Sequence, residues 1–294
     1  MILIMLFIGL KNILKKKTKN NFMDLESKTF QTIDDYKTLD IIIEHLKNHK
    51  KDEPFYYVRY GDGDIYSMYP EYVGDIMGRS NQFIVTKEFQ QELYNAWNIL
   101  DDNYWVAGSL NLDSINTTDG GIKMHNKIKE LMYNKKIIER FDFYSHPTFE
   151  SNFVYKPDKF LEFTKSLYSK KKLWVNQYWH ENVETILGNV KHHVQTPSTN
   201  SYANIDKWFP EILDVIDEVD VIILASGFSS RVAASRLWKL GINKIVIDPG
   251  SVVDMFIANT WIHDNINLRS TMTKHRNEIL KSLNYILNKS KLIN

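Results

Sequence analysis

Leu39, Ile42, Ile43 and Leu46 fall on one face of YKTLDIIIEHLKNH, at the i, i+3, i+4, i+7 spacing that turns one stripe of a helix inward. Pro54 interrupts that pattern, and FYYVRY (55–60) follows as a strand. The alternation then repeats along the chain. TKEFQQELYNAWNIL carries Phe89, Leu93, Trp97 and Leu100 on a second helical stripe, and the strand YWVAGSL comes after it. A polar loop, NLDSINTTDGG, leads to a helix with Met124, Ile128, Leu131 and Met132 inward. FLEFTKSLYS precedes the strand KKLWVN, and NVETILGNV precedes the strand KHHVQTP. IDKWFPEILDVIDEV reads as helical, with Pro210 in or before its first turns. It leads into DVIILASG, the most strand-like segment, and NEILKSLNYILNKS closes the chain as an amphipathic helix on Ile279, Leu283 and Ile286.

Helix and strand alternating over short connections predict an α/β fold, a Rossmann-like, mainly parallel sheet with helices on both faces. No fixed-period repeat and no Pro/Gly/Ser-rich linker divides the chain, so residues 23–294 are expected to form a single domain. In such sheets ligands bind outside the carboxyl ends of the strands, where the strand order reverses.

Residues 1–22 stand apart. MILIMLFIGL is about ten apolar residues, half of the roughly 20 that span a bilayer. It has no positive charge ahead of the apolar run and no A-x-A-like cleavage site. With the basic KNILKKKTKNN behind it, the segment reads either as a weak membrane-surface anchor or as a dispensable tail before Met23. The expected location is cytoplasmic, with contact to the cytoplasmic membrane face through this tail.

Charge and cysteine content narrow the chemistry. With 37 basic and 36 acidic residues among 294, no global field draws the chain to nucleic acid. With no cysteine, disulfides, thiolate zinc sites and thiol nucleophiles are excluded.

Two glycine-rich turns at strand ends carry the candidate chemistry. In VDVIILASGFSSRVAASRLWKLGINKIVIDPG a strand, tight turn, helix and strand follow one another, with Ala233, Leu237 and Leu240 as the buried stripe and Gly241 as the C′ residue. Ser226, Gly227, Phe228, Ser229 and Ser230 form the helix entrance, where hydroxyls and backbone N–H groups favour a phosphate, and Arg231 adds a charge-assisted contact. The same serines can merely cap a βαβ helix. The turn is neither G-x-G-x-x-G nor a Walker loop. In RYGDGD, residues two apart on an extended chain point the same way, so Asp62 and Asp64 converge beyond the strand, with Gly61 and Gly63 allowing close approach. Paired carboxylates repel and raise one pKa unless a cation sits between them, and their hard oxygens suit Mg²⁺ or Mn²⁺. A solvated acidic turn is the plain alternative.

At these residues the chain resembles the GT-D fold glycosyltransferases, a bacterial family that includes glucosyltransferases extending adhesin glycans. RYGDGDI is similar to the family's Arg-x-Gly-Asp-Gly-Glu motif, with Asp64 where the family has Glu, and ASGFSSRVA to its later strand-turn-helix. Between and after them WVAGSL, FYSHPTF (His146 in place of Arg), TPSTNSY and KLGINKIVIDPGSVVDMF resemble family segments in the same order, over about residues 30–260. The resemblance implies a metal-dependent hexosyltransferase-type enzyme that moves a sugar from a nucleotide-diphosphate donor, a UDP-sugar foremost, to an acceptor hydroxyl on a glycan or glycoprotein. It implies Mn²⁺ or Mg²⁺ on Asp62 and Asp64. It places Ser226–Arg231 around the diphosphate and Pro197, Ser198 and Asn200 near the nucleoside, and it makes Gly61 and Gly63 donor-binding, with Arg59 orienting a carboxylate or phosphate. A general base is needed if the configuration inverts. Asp248 is the first candidate for it, with Asp113 and Glu150 behind. Two alternatives are another α/β nucleotide-binding transferase and a non-catalytic nucleotide- or glycan-binding protein.

Overall fold

The computed structural model describes residues 31–32, 35–50, 53–61, 64, 67–68, 84–99, 101–108, 142–145, 148–257 and 275–292. Thr32–Asn294 form one compact unit. The division at residues 22 and 23, the tail, the helix of Met124–Met132, Leu100 and His146 lie outside the described residues.

The strands are β1 (Gln31–Thr32), β2 (Phe55–Tyr60), β3 (Tyr104–Gly108), β4 (Asp142–Ser145), β5 (Lys172–Asn176), β6 (Val190–Gln195), β7 (Val221–Leu224) and β8 (Ile245–Ile247). They form one sheet in the order β1-β4-β3-β2-β8-β7-β5-β6, and every pairing described from β4 across to β6 is parallel. Around it lie α1 (Asp35–Asn48), α2 (Lys87–Trp97), α3 (Thr148–Tyr155), α4 (Pro157–Leu167), α5 (Glu181–Leu187), α6 (Ile205–Asp214), α7 (Ser229–Lys239), α8 (Val252–Met255) and α9 (Arg276–Ser290).

Strand β2 shows why both faces are covered. All six of its residues are buried, as a parallel strand between two helical layers requires. Alternate side chains meet different layers. Tyr57 packs edge-on against Phe149 of α3, whereas Tyr56 meets Trp238 of α7 and Tyr60 meets Trp97 of α2. The stripes read from periodicity are buried as expected: Leu39, Ile42, Ile43 and Leu46 on α1, and Ile279, Leu283 and Ile286 on α9. On α7 one assignment fails. Ala233 and Leu237 are buried, but Leu240 is 57% exposed. It is the C-cap residue, where the backbone already turns towards Gly241 at φ +68°, so its side chain leaves the inward stripe.

Helix α2 begins with a side-chain cap, Thr86 Oγ1 accepting the Phe89 N–H at 3.1 Å. Thr86→Ala leaves that donor to water and is expected to cost about 1 kcal/mol, read as a lower urea midpoint at unchanged slope. No helix among the described residues is long and apolar enough to cross a membrane.

The sheet order fixes the place of the site. From β2 the chain steps to β3 and β4 on one side, then fills the other side with β5 and β6 before β7 and β8 close the middle. The order therefore reverses between β2 and β8, and parallel pairing sends the carboxyl ends of β2, β8 and β7 to one edge.

Candidate active site

Three chain segments leave that edge side by side. Beyond β2, Asp64 Oδ2 accepts the Gly61 N–H at 2.7 Å. Beyond β7, the turn through Gly227 at φ +65° opens α7, whose first turn carries Arg231. Beyond β8 comes Asp248, whose N–H donates to the Tyr57 carbonyl of β2 at 2.9 Å. Arg231 joins all three segments. Its Nη2 donates to Asp64 Oδ2 at 3.0 Å, and its Nη1 donates to the Gly227 carbonyl at 2.6 Å. Nη1 also lies 3.0 Å from Asp248 Oδ2, close in charge but outside hydrogen-bond geometry.

Burial governs the electrostatics. Asp64 is 2% exposed and Asp248 1%. Burial pushes the Asp64 carboxyl up to about 6, against the pull of the Arg231 guanidinium and the Gly61 N–H. Asp248 is raised for the same first reason, with Arg231 and then Arg59 opposing. Both are acids held by positive charge yet reluctant to ionise.

A second ion pair lies behind them. Arg59, on β2, is 4% exposed. Its Nη1 meets Glu150 Oε1 at 2.6 Å and donates to the Pro249 carbonyl at 2.9 Å. Ser251 Oγ donates to the same Glu150 oxygen at 2.8 Å, and the Gly250 N–H donates to Asp248 Oδ1 at 3.0 Å. Arg59 thus fastens the turn that holds Asp248. Gly250 is required there, since a Cβ at its φ of +62° would stand 1.3 Å from Arg59 Nη1.

The helix entrance is a cluster of hydroxyls. Ser230 Oγ accepts the Ser226 N–H at 2.9 Å, and Ser229 Oγ donates to the Ser226 carbonyl at 2.8 Å. Ser229 Oγ also lies 3.0 Å from Ser201 Oγ. Phe228, at the N-cap position, gives no side-chain cap. Gly227 is exposed, with nothing within 4 Å of where its Cβ would stand. Pro197 and Ser198 are exposed beyond β6, and Asn200 turns through φ +49° to deliver Ser201.

The edge therefore gathers Gly61, Asp64, Asp248 and the Gly227–Arg231 entrance, with Arg59 behind. Asp62, Gly63 and Asp113 lie outside the described residues. Sequence reasoning did not single out Ser201, Pro249, Gly250 or Ser251. Only the Asp-Pro-Gly run at 248–250 signalled a turn there.

Among the described residues no three His, Asp or Glu side chains form a metal cluster. Asp64 Oδ1, Asp248 Oδ2 and Glu150 Oε2 are buried carboxylate oxygens with no hydrogen-bond donor, and hard oxygens of this kind are the type Mg²⁺ or Mn²⁺ takes as ligands, although Asp248 Oδ2 already lies against Arg231.

The chain matches no protein-family model and no curated protein. Solved structures do resemble it. A glycosyltransferase (DUF1792) from Streptococcus sanguinis superposes with a TM-score of 0.54 at 17% identity, over 82% of this chain and 87% of that one. A selenomethionine-substituted structure of domain of unknown function 1792 gives 0.50 at 16%, over 81% and 85%. The fold, an α/β sheet flanked by helices, is the one these solved domains share, and the two sequence motifs resemble the GT-D type.

Proposed function

We propose that this chain is a glycosyltransferase acting on a nucleotide-diphosphate sugar, a UDP-sugar foremost, with a glycan or glycoprotein hydroxyl as acceptor. One observation supports this most: Arg231, from the serine-lined entrance, meets Asp64 of the early acidic motif at 3.0 Å across 167 residues. The two turns that carry the chemistry share one edge, at the point where ligands bind in such sheets.

In this reading Ser226–Ser230 cradle the diphosphate through hydroxyls and the N-terminus of α7. The segment from Pro197 and Ser198 through Asn200 lies towards the nucleoside. Asp62 and Asp64 would hold Mn²⁺ or Mg²⁺, which when bound neutralises charge on the leaving diphosphate. Asp248, raised by burial and tied to Arg231, suits holding a proton at the edge better than meeting solvent. Glu150 is committed to Arg59 and Ser251. Contact of residues 1–22 with a membrane surface belongs to the same proposal.

The test is thermal stabilisation by a panel of nucleotide sugars with and without Mn²⁺, together with release of free UDP. A UDP-sugar shift that needs Mn²⁺ and disappears in Asp62→Ala, with UDP released, is expected. Stabilisation indifferent to Mn²⁺ and to Asp62 would show a nucleotide-binding protein of another kind.

A further inference from the structure

We propose that Arg231 is an internal counter-ion that makes cation binding at Asp64 depend on a nucleotide diphosphate at the α7 entrance. The proposal rests on the glycosyltransferase reading and assigns Arg231 a task other than a standing phosphate contact.

Arg231 is 6% exposed, and its two terminal nitrogens are already committed to Asp64, Asp248 and the Gly227 carbonyl. With those contacts in place only its Nε, buried with no hydrogen-bond partner, is left for another group. Its charge instead supports Asp64, whose Oδ2 also takes the Gly61 N–H and whose Oδ1 is buried with no donor. A divalent cation arriving at Oδ1 meets a carboxylate already shared with a positive group, so it binds against Coulomb repulsion. An anion at the entrance reverses the balance. Arg231 sits in the first turn of α7, the turn whose N-terminus would face the diphosphate. The anion draws on the guanidinium's charge and returns that of Asp64 to the cation. Coupling of this kind is reciprocal, so the cation tightens the nucleotide by the same factor.

The experiment titrates the full chain with Mn²⁺, followed by electron paramagnetic resonance, without and with saturating UDP, at a pH where each variant's Mn²⁺ affinity no longer rises with pH, because losing Arg231 also favours the proton on Asp64. UDP is titrated in parallel by calorimetry. In the wild type, UDP is expected to tighten Mn²⁺ at least tenfold. In Arg231→Gln, Mn²⁺ alone is expected to bind at least tenfold tighter than to wild type, UDP alone weaker, and the coupling to fall to threefold or less. Arg231→Lys, which keeps the charge, should stay near wild type for Mn²⁺ alone. If Arg231→Gln fails to fold because two buried carboxylates lose their partner, Arg231→Gln with Asp248→Asn removes one of those charges and carries the same expectation. Unchanged or weaker Mn²⁺ binding in the folded variant overturns the proposal, as does a wild type in which UDP leaves Mn²⁺ affinity unmoved. Those results leave the glycosyltransferase reading standing. A wild type that binds neither UDP nor any other nucleoside diphosphate, with or without Mn²⁺, overturns both.

Discussion

Gly250→Ala is expected to destabilise the protein by about 4 kcal/mol, although it adds one methyl group. Two costs combine. An L-residue at φ +62° carries roughly 1–2 kcal/mol of left-handed strain. The new Cβ would also stand 1.3 Å from Arg59 Nη1 and 2.0 Å from its Cζ, so the guanidinium must leave. Its departure strips Glu150 of a 2.6 Å partner in a site where Glu150 Oε2 already has no donor. Breaking a buried pair from one side costs roughly 3–5 kcal/mol, reduced here because Ser251 still donates to Glu150. For a domain of this size about 4 kcal/mol corresponds to a fall in Tm of roughly 10 °C. Gly241→Ala is the control. It has nearly the same φ, +68°, but nothing within 4 Å of the added Cβ, so only the strain of about 1–2 kcal/mol is expected. Equal losses at the two glycines, measured by chemical denaturation, would show that the Arg59 contact contributes nothing.

Arg59 also shows how far the sequence could be read. Its place at the end of a strand was legible, because FYYVRY is apolar, aromatic and bounded by Pro54 and Gly61. Most other strands were legible for the same reason, since a parallel strand buried on both faces must be apolar throughout. β4 and α3 were not singled out as elements. The polar, mixed run from Asp142 to Tyr155 has no clean period of two or 3.6, and its structure depends on neighbours such as Tyr57 against Phe149. The site divided along the same line. That two glycine turns end strands, β2 and β7, follows from local pattern. That Arg231 would turn to Asp64, and Arg59 to Glu150 and Pro249, follows from strand order, which brings residues 91 to 190 positions apart into contact. A lone sequence offers basic residues beside a phosphate turn and leaves open whether they face a ligand or the protein's own acids.

Asp64→Asn separates those two roles through pH. The Asp64 carboxyl is raised by burial from its ordinary 3.8 to about 6, so the folded state holds its proton more tightly than the unfolded chain does. Its contribution to stability is therefore complete below pH 4 and is lost as pH rises through about 6, a swing of about 3 kcal/mol at 1.36 kcal/mol per pKa unit. Asparagine does not titrate. Measured by urea denaturation in chelator, the variant should gain about 3 kcal/mol relative to wild type between pH 4 and pH 7.5, while Asp248, raised by burial in its own right, remains in both proteins. On that expectation an ionised Asp64 weakens the fold at neutral pH even with Arg231 at 3.0 Å, which accords with the role proposed for it at the edge. The functional half carries the larger expected effect. With one oxygen of the acidic motif lost as an anion, UDP release from the sugar donor should fall at least a hundredfold at saturating Mn²⁺. A variant that gains stability with pH and keeps full turnover would leave Asp64 as a buried acid with no part in the reaction. A variant whose stability tracks wild type at every pH would mean that Arg231 fully offsets the burial of this carboxylate, and the electrostatic account of the edge would fall.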